Sequence, residues 1–345
     1  MKGNRGYRIV GGVGVGVGFR GFGGGFVLGA VFALGLALLP VPALAAGRQI
    51  SDLGTLGGST AFARDVNEPG QIVGESTTAR GQTHAFLLTP WVGKMVDLGT
   101  LGGTFSQAMA VSNRGQVAGT STLTGDAQTR AFVWDQGKMT ALPPLDGAMF
   151  SEGLDVNDSG VVVGQSAGAA VRWQNGHVQS LGTLGGDSSF ATGINASGVI
   201  IGNGSTAAGD FHGWVFKNGV MTDLGGFGGA NSSADGINSA GDIVGHFEVS
   251  AGTPHGYLLS NGVFRDLGVL DLSSNANAIS NSGLIVGEGS GPATVHALLW
   301  DYNRAIIDLG VLPGSNFSSA SSVNSAGTIV GVSALDTGFR AVVWR

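Results

Sequence analysis

Residues 52–58 read DLGTLGG, residues 97–103 read DLGTLGG again, and residues 180–186 read SLGTLGG. Glycine loses more backbone freedom on folding than any other residue, so glycines held at the same places in separate copies answer a structural demand. Aligning the chain on this heptad gives seven copies, starting at Asp52, Asp97, Ala141, Ser180, Asp223, Asp266 and Asp308, in steps of 45, 44, 39, 43, 43 and 42 residues. A period of about 43 residues suits a four-stranded propeller blade and is far too long for one coil of a β-helix. The heptad is eroded in copy three (ALPPLDG), copy six (DLGVLDL) and copy seven (DLGVLPG).

Inside each copy stands N-x-x-G-x-x-x-G, as in NEPGQIVG at residues 67–74. Its first place holds Asn67, Asn157, Asn195, Asn238 and Asn324, with Ser112 and Ser280 substituting. Its first glycine is Gly70, Gly115, Gly160, Gly198, Gly241, Gly283 and Gly327, and its second recurs from Gly74 to Gly331. A side chain that bonds its own turn, followed by a glycine able to take φ > 0, spells a tight hairpin with a bulge. Four residues before the Asn or Ser lies a small residue in every copy (Ala63, Ala108, Gly153, Ala191, Ala234, Ala276, Ala320), as expected of an inner strand crowded against a central axis. A second hairpin follows, from strands such as HAFLL at 84–88 and RAFVW at 130–134, with Ala or Gly fixed at the second place.

Each copy thus reads as four antiparallel strands. The heptad ends the outer strand at DLG and turns back toward the axis in TLGG. The mature chain opens with a lone outer strand, QISDLG at 49–54, and closes with FRAVVW at 339–344, a third strand lacking its fourth. Pairing these two completes a last blade and removes exposed edges. The expected fold is all-β: a seven-bladed β-propeller closed by its N- and C-terminal strands, with an open β-repeat array as the alternative.

Residues 1–46 are of another kind. Lys2, Arg5, Arg8 and Arg20 precede an apolar run, and Ala43 and Ala45 form an A-x-A site after Pro40 and Pro42. This is the pattern of a cleaved export signal; uncleaved, the run is long enough to anchor the chain in a membrane. The GGVGVGVG run at 11–18 lacks the strand-turn-helix context of a phosphate loop. The domain is then 47–345, without a further membrane segment, and its destination is periplasmic or extracellular. Losing four basic residues and no acidic one takes the 17 Lys and Arg to 13 against 23 Asp and Glu, a net charge of −10. Such a chain repels phosphate backbones, so nucleic acid is not an expected partner. With no cysteine there is neither disulfide framework nor thiolate chemistry.

The strings DLGTLGG, VNEPGQIVG and HAFLL at this period resemble the extracellular HAF-repeat family of bacterial proteins, named for a His-Ala-Phe at the place of His84, Ala85 and Phe86. The resemblance covers nearly the whole mature chain. It implies export and a repeat domain, and no particular reaction. Only copy one spells HAF in full; His212, His255 and His296 keep the histidine, and Arg130 and Arg340 replace it.

No reactive constellation stands out. The third-strand histidines should sit away from the axis as edge residues and not share a metal ion. DVNDSG at 155–160 matches half a calcium loop, but Ser166 occupies the place of the bidentate Glu, and the same positions form the repeated turn. The Asp of DLG recurs too often to be a site and should bond the following turn. Charged residues that break the repeat are Arg64, Glu152, Asp235 and His246; Arg64 and Asp235, three residues before their turn Asn, are placed at the channel mouth. The expected function is a non-catalytic binding module for glycan or protein ligands, with no cofactor or metal, as a monomer, using the loops at 76–83, 121–129 and 205–211. The alternative is a propeller enzyme, a glycan lyase or hydrolase, with Arg64 stabilising charge and Asp235 moving a proton.

Overall fold

The computed structural model describes residues 47–345 other than 91, 92 and 251; the expected signal at 1–46 lies outside them. Twenty-eight strands and no helix occur among the described residues. They form five four-stranded antiparallel sheets and one of eight strands, which is two four-stranded runs joined by a single parallel pair, Thr83 with Phe105.

The first copy shows how the residues build a sheet. Strands β1 (Ile50–Asp52), β2 (Gly57–Val66), β3 (Ile72–Thr78), β4 (Thr83–Leu88) and β5 (Met95–Asp97) follow in order. β2 and β3 meet at the expected turn: Gly70 takes φ +86°, and its N–H donates to Asn67 O at 2.9 Å. The Asn67 Oδ1 accepts from Gln71 N at 2.8 Å, so the side chain closes the turn. The second glycine has a different cause. β2 bulges between Ala63 and Asp65, and a Cβ on Gly74 would run into the carbonyl oxygen of Phe62. Phe86, the third letter of HAF, is the register partner of Gly74 and lies over it.

The small inner-strand residues correct one expectation. Ala63, Ala108, Ala191, Ala234, Ala276 and Ala320 are at most 1% exposed, but they do not crowd an axis. Each packs on the second and third strands of the preceding copy, as Ala108 does on Val73 and Ala85, and Ala276 on Val244 and Leu258. Six hydrophobic clusters of this kind join successive copies, and a seventh joins the last to the first: Val330, Ala341 and Val343 against Ala61, Ala63 and Val66.

Every letter of the quoted heptad has a task. Asp97 Oδ1 accepts from Gly99 N at 2.8 Å, and Leu98 N donates to Ala85 O at 2.9 Å, ending the outer strand. Thr100 Oγ1 accepts from Gly102 N and donates to Gly103 O, Leu101 N donates to Ser121 Oγ, and Gly102 takes φ +107°. Asp52 and Leu53 repeat this against the far end of the chain: β1 pairs with the last strand, Gly338–Trp344, in the register Ile50 with Trp344, and Leu53 N donates to Ala341 O at 2.9 Å.

The sequence placed variable loops at 76–83, 121–129 and 205–211, and the structure shortens them. Strands run to Thr78, Leu123 and Thr206, leaving 79–82, 124–128 and 207–210. The lost positions are scaffold: Ser76 and Ser121 accept from Leu56 N and Leu101 N and so hold the link that precedes their own sheet.

Candidate functional site

In six copies a bulge follows the small residue, and in all seven the next side chain faces a cavity of about 290 Å³. Arg64, Met109, Leu154, Thr192, Asp235, Asn277 and Ser321 occupy that place. Arg64 and Asp235 therefore line one cavity, and Arg64 is its only basic residue among the described lining residues.

At the turn end the cavity is girdled by side chains that reach from one copy to the next. Asn67 Nδ2 donates to Ser112 O, Asn157 to Asn195 O, Asn195 to Asn238 O, Asn238 to Ser280 O, and Asn324 to Asn67 O. Ser112 and Ser280, too short to continue it, are the two gaps. Two carboxyls lie just inside. Asp65 accepts from Val66 N, Val111 N and Ser322 Oγ, and Asp155 from Val156 N and Ile194 N. Both touch the cavity yet are surrounded by protein. Burial raises both above the usual carboxylate range, Asp155 to about 7, with the charge of Asp65 adding to it. In DVNDSG, Asp155 and Asn157 thus spend their oxygens on backbone N–H groups, and Asp158 accepts from Asn113.

The other end carries polar pairs, each between the first two strands of a sheet. Arg64 Nε donates to Glu75 Oε2 at 3.0 Å and lies over the Phe62 ring. Gln165 Nε2 donates to Glu152 Oε2 at 2.7 Å, and Asn275 Nδ2 to Glu288 Oε1 at 3.4 Å. In the copy of Asn238 the pair becomes a network. Ser233 Oγ donates to Asp235 Oδ2 at 2.5 Å and lies 2.7 Å from His246 Nδ1, which is 3.2 Å from Asp235 Oδ2. Asn203 reaches Asp235 Oδ1 from the neighbouring copy, and Tyr257 Oη donates to Ser233 O from below. Burial pulls the His246 pKa down, but Asp235, Glu248 and Glu288 outweigh it and the net shift is upward. The inner strand is also interrupted here, to Gly236–Ile237, where the first copy has ten residues. Ser233 stands where copies one and four place Phe62 and Phe190, which opens the space that His246 fills.

The third-strand histidines lie elsewhere, each on the Asp of its own DLG: His84 on Asp97 at 2.9 Å, His212 on Asp223 at 2.9 Å, His255 on Asp266 at 3.0 Å and His296 on Asp308 at 2.7 Å. Arg340 takes the same place opposite Asp52, across the junction of the two chain ends, at 3.7 Å. Among the described residues no group of three or more His, Asp and Glu is placed to hold a metal ion.

No family model matches the chain, and no curated protein matches its sequence. Solved structures do. The β-propeller domain of the Trilobed protease from Pyrococcus furiosus, which reveals an open velcro topology, is 11% identical over 83% of this chain and 94% of its own, at a TM-score of 0.56. Virginiamycin B lyase from Staphylococcus aureus is 11% identical over 86% of this chain and 98% of its own, at 0.53. A puromycin-hydrolyzing peptidase of Mycobacterium tuberculosis is 15% identical over 82% of this chain, at 0.53, and this chain spans about half of it, 51%. At such identities the likeness concerns the fold alone: this is an all-β fold of the β-propeller kind.

Proposed function

We propose that the chain is an exported seven-bladed β-propeller of the HAF-repeat kind, completed by β1 in its last blade, and that it binds a glycan or protein ligand at the cavity mouth. The carrying observation is an asymmetry within the repeat. Turn, link and core positions are nearly the same in all copies, whereas the cavity-facing place runs Arg64, Met109, Leu154, Thr192, Asp235, Asn277, Ser321. A scaffold that needed only to fold would have no use for seven different side chains there. Binding sites on such folds gather where a rigid frame presents varied groups around a concavity. Closure is supported by the pairing of β1 with the last strand and by the cluster joining the last copy to the first. The N-terminal run supports export, with the mature domain a monomer in the periplasm or outside the cell.

The test is a glycan array and a pull-down with the purified protein and with Arg64→Ala/Asp235→Ala. A ligand retained by the first and lost by the second supports the reading; two empty screens sink it. The second reading, a glycan lyase or hydrolase, draws support from the Asp235–His246 pair, since an imidazole oriented at Nδ1 is equipped to move a proton at Nε2. Turnover of polysaccharide abolished in His246→Gln, with the melting transition intact, would favour it.

A further inference from the structure

In the copy of Asn238 the inner strand is broken, and beside the break Ser233 stands where copies one and four carry Phe62 and Phe190. We propose that the resulting notch, formed by Asp235, His246, Asn275 and Glu288, is a subsite for a primary ammonium group, borne by a lysine side chain or an amino sugar. This rests on the binding reading above and names the chemistry of its ligand.

The hydrogen-bonding capacity left over in the notch is all of one kind. The Asp235 carboxylate can only accept, and the Ser233 hydroxyl already donates to it. His246 Nδ1, facing both, must therefore carry a proton, which leaves the lone pair of the neutral imidazole on Nε2. His246 keeps 38% of its side chain exposed, so Nε2 is within reach of a ligand. Asn275 turns its amide N–H toward Glu288. Carboxylate oxygens and an imidazole lone pair call for a ligand that brings N–H groups.

Charge narrows the choice. Asp235 on the broken inner strand, Glu248 on the strand of His246 itself, and Glu288 on the next sheet all favour positive charge at the imidazole. Behind it, Tyr257 spends its hydroxyl on Ser233 O. The cavity's one basic side chain, Arg64, is engaged by Glu75. An ammonium group supplies three donors and the charge this field selects, a neutral hydroxyl supplies one donor and no charge, and an anion is repelled. A proton on His246 answers the same field and uses up the lone pair, so proton and ligand compete. Binding should strengthen as pH rises past the pKa of His246.

The experiment is calorimetric titration of the purified protein with two pairs of probes: a lysine tripeptide and its Nε-acetyl form, and a glucosamine tetramer and the N-acetylglucosamine tetramer. The amine of at least one pair should bind about tenfold tighter than its acetylated partner, and which pair does so identifies the source. The lysine peptide should gain about tenfold between about pH 5.5 and about pH 8.5, where its own amine stays charged. Glu288→Gln should cost about tenfold, His246→Gln should flatten the pH dependence, and His255→Gln, on the outer rim, should change neither. Melting curves of each variant separate lost binding from lost folding. Equal binding of acetylated and free amines, no binding by either pair, or pH-independent binding overturns the proposal. If an array ligand is nonetheless lost in Arg64→Ala/Asp235→Ala, the module survives and only its ammonium chemistry falls.

Discussion

Six junctions between copies carry a serine clamp, and the seventh, between the last copy and the first, does without it. In six junctions a serine of the incoming inner strand accepts from the third-strand N–H of the preceding copy: Ser106 from Ala85, Ser151 from Ala131, Ser189 from Ala170, Ser232 from Gly213, Ser274 from Gly256 and Ser318 from Ala297. Five of these hydroxyls also donate to the link carbonyl, as Ser189 does to Gly182 O at 2.8 Å. At the junction of last and first copies the position is Ala61. That junction keeps the turn-end ties, where Ser322 donates to Asp65, Ser325 to Glu68 and Asn324 to Asn67 O, and at the opposite end Phe339 packs on Phe62 5.0 Å away. The chain therefore clamps its copies with serine where the backbone already joins them, and holds its two ends together by strand pairing, turn ties and the contact of two aromatic rings.

The largest test of this contrast is deletion of residues 49–54. It strips the edge of Gly338–Trp344 and removes Ile50 and Leu53 from the core, each worth roughly 1.5–3 kcal/mol when buried. Against a total stability of about 5–15 kcal/mol the truncated protein should melt far lower and aggregate through the open edge. Thermal melting and size-exclusion chromatography read both; an unchanged monomer would mean the ends do not support each other. Ser189→Ala comes next. It leaves Ala170 N–H and Gly182 O unpaired inside the protein and should cost about 1–3 kcal/mol in denaturant titration.

The buried carboxyls give a pH test. Asp155, raised to about 7, holds its proton better folded than unfolded, where a carboxyl titrates near about 3.9. Its contribution is therefore fully present at low pH and is lost as pH rises from about 4 through about 7. Stability should fall between about pH 5.5 and about pH 8, and Asp155→Ala should lessen that slope whatever its effect on stability itself. A slope identical in both proteins would remove Asp155 as its source. The smallest effect is expected from Ala61→Ser, which supplies the missing clamp and should add about 0.5–1.5 kcal/mol. If it destabilises instead, the closing junction excludes the clamp by its packing.

What the sequence made legible is what it repeats. Turn glycines, the Asp that caps DLG, the four-strand unit and the lone strand at 49–54 can each be read because several copies state the same local rule. The serine clamp was equally written, six times over, but its partners lie on a neighbouring sheet and no local rule announces them. The second glycine was visible without its reason, since the carbonyl of Phe62 reaches Gly74 only through a bulge. That bulge also decides which residue faces the cavity, which is why the small residues were misplaced onto the axis. Arg64 and Asp235 stand out in the sequence because they interrupt the pattern. Their environment does not, because Ser233, His246 and Asn203 come together only through strand register and the breadth of two sheets.

The pairing of Ile50 with Trp344 also sets an order of events during biosynthesis. A ribosome adding about 5–20 residues each second delivers β1 early and its partner strand on the order of 15–60 s later. Through that interval β1 has no partner, so the sheet that joins it to Gly338–Trp344 waits for the last of the described strands. The protein is thus a timed structure, its first described strand held in reserve until its partner arrives.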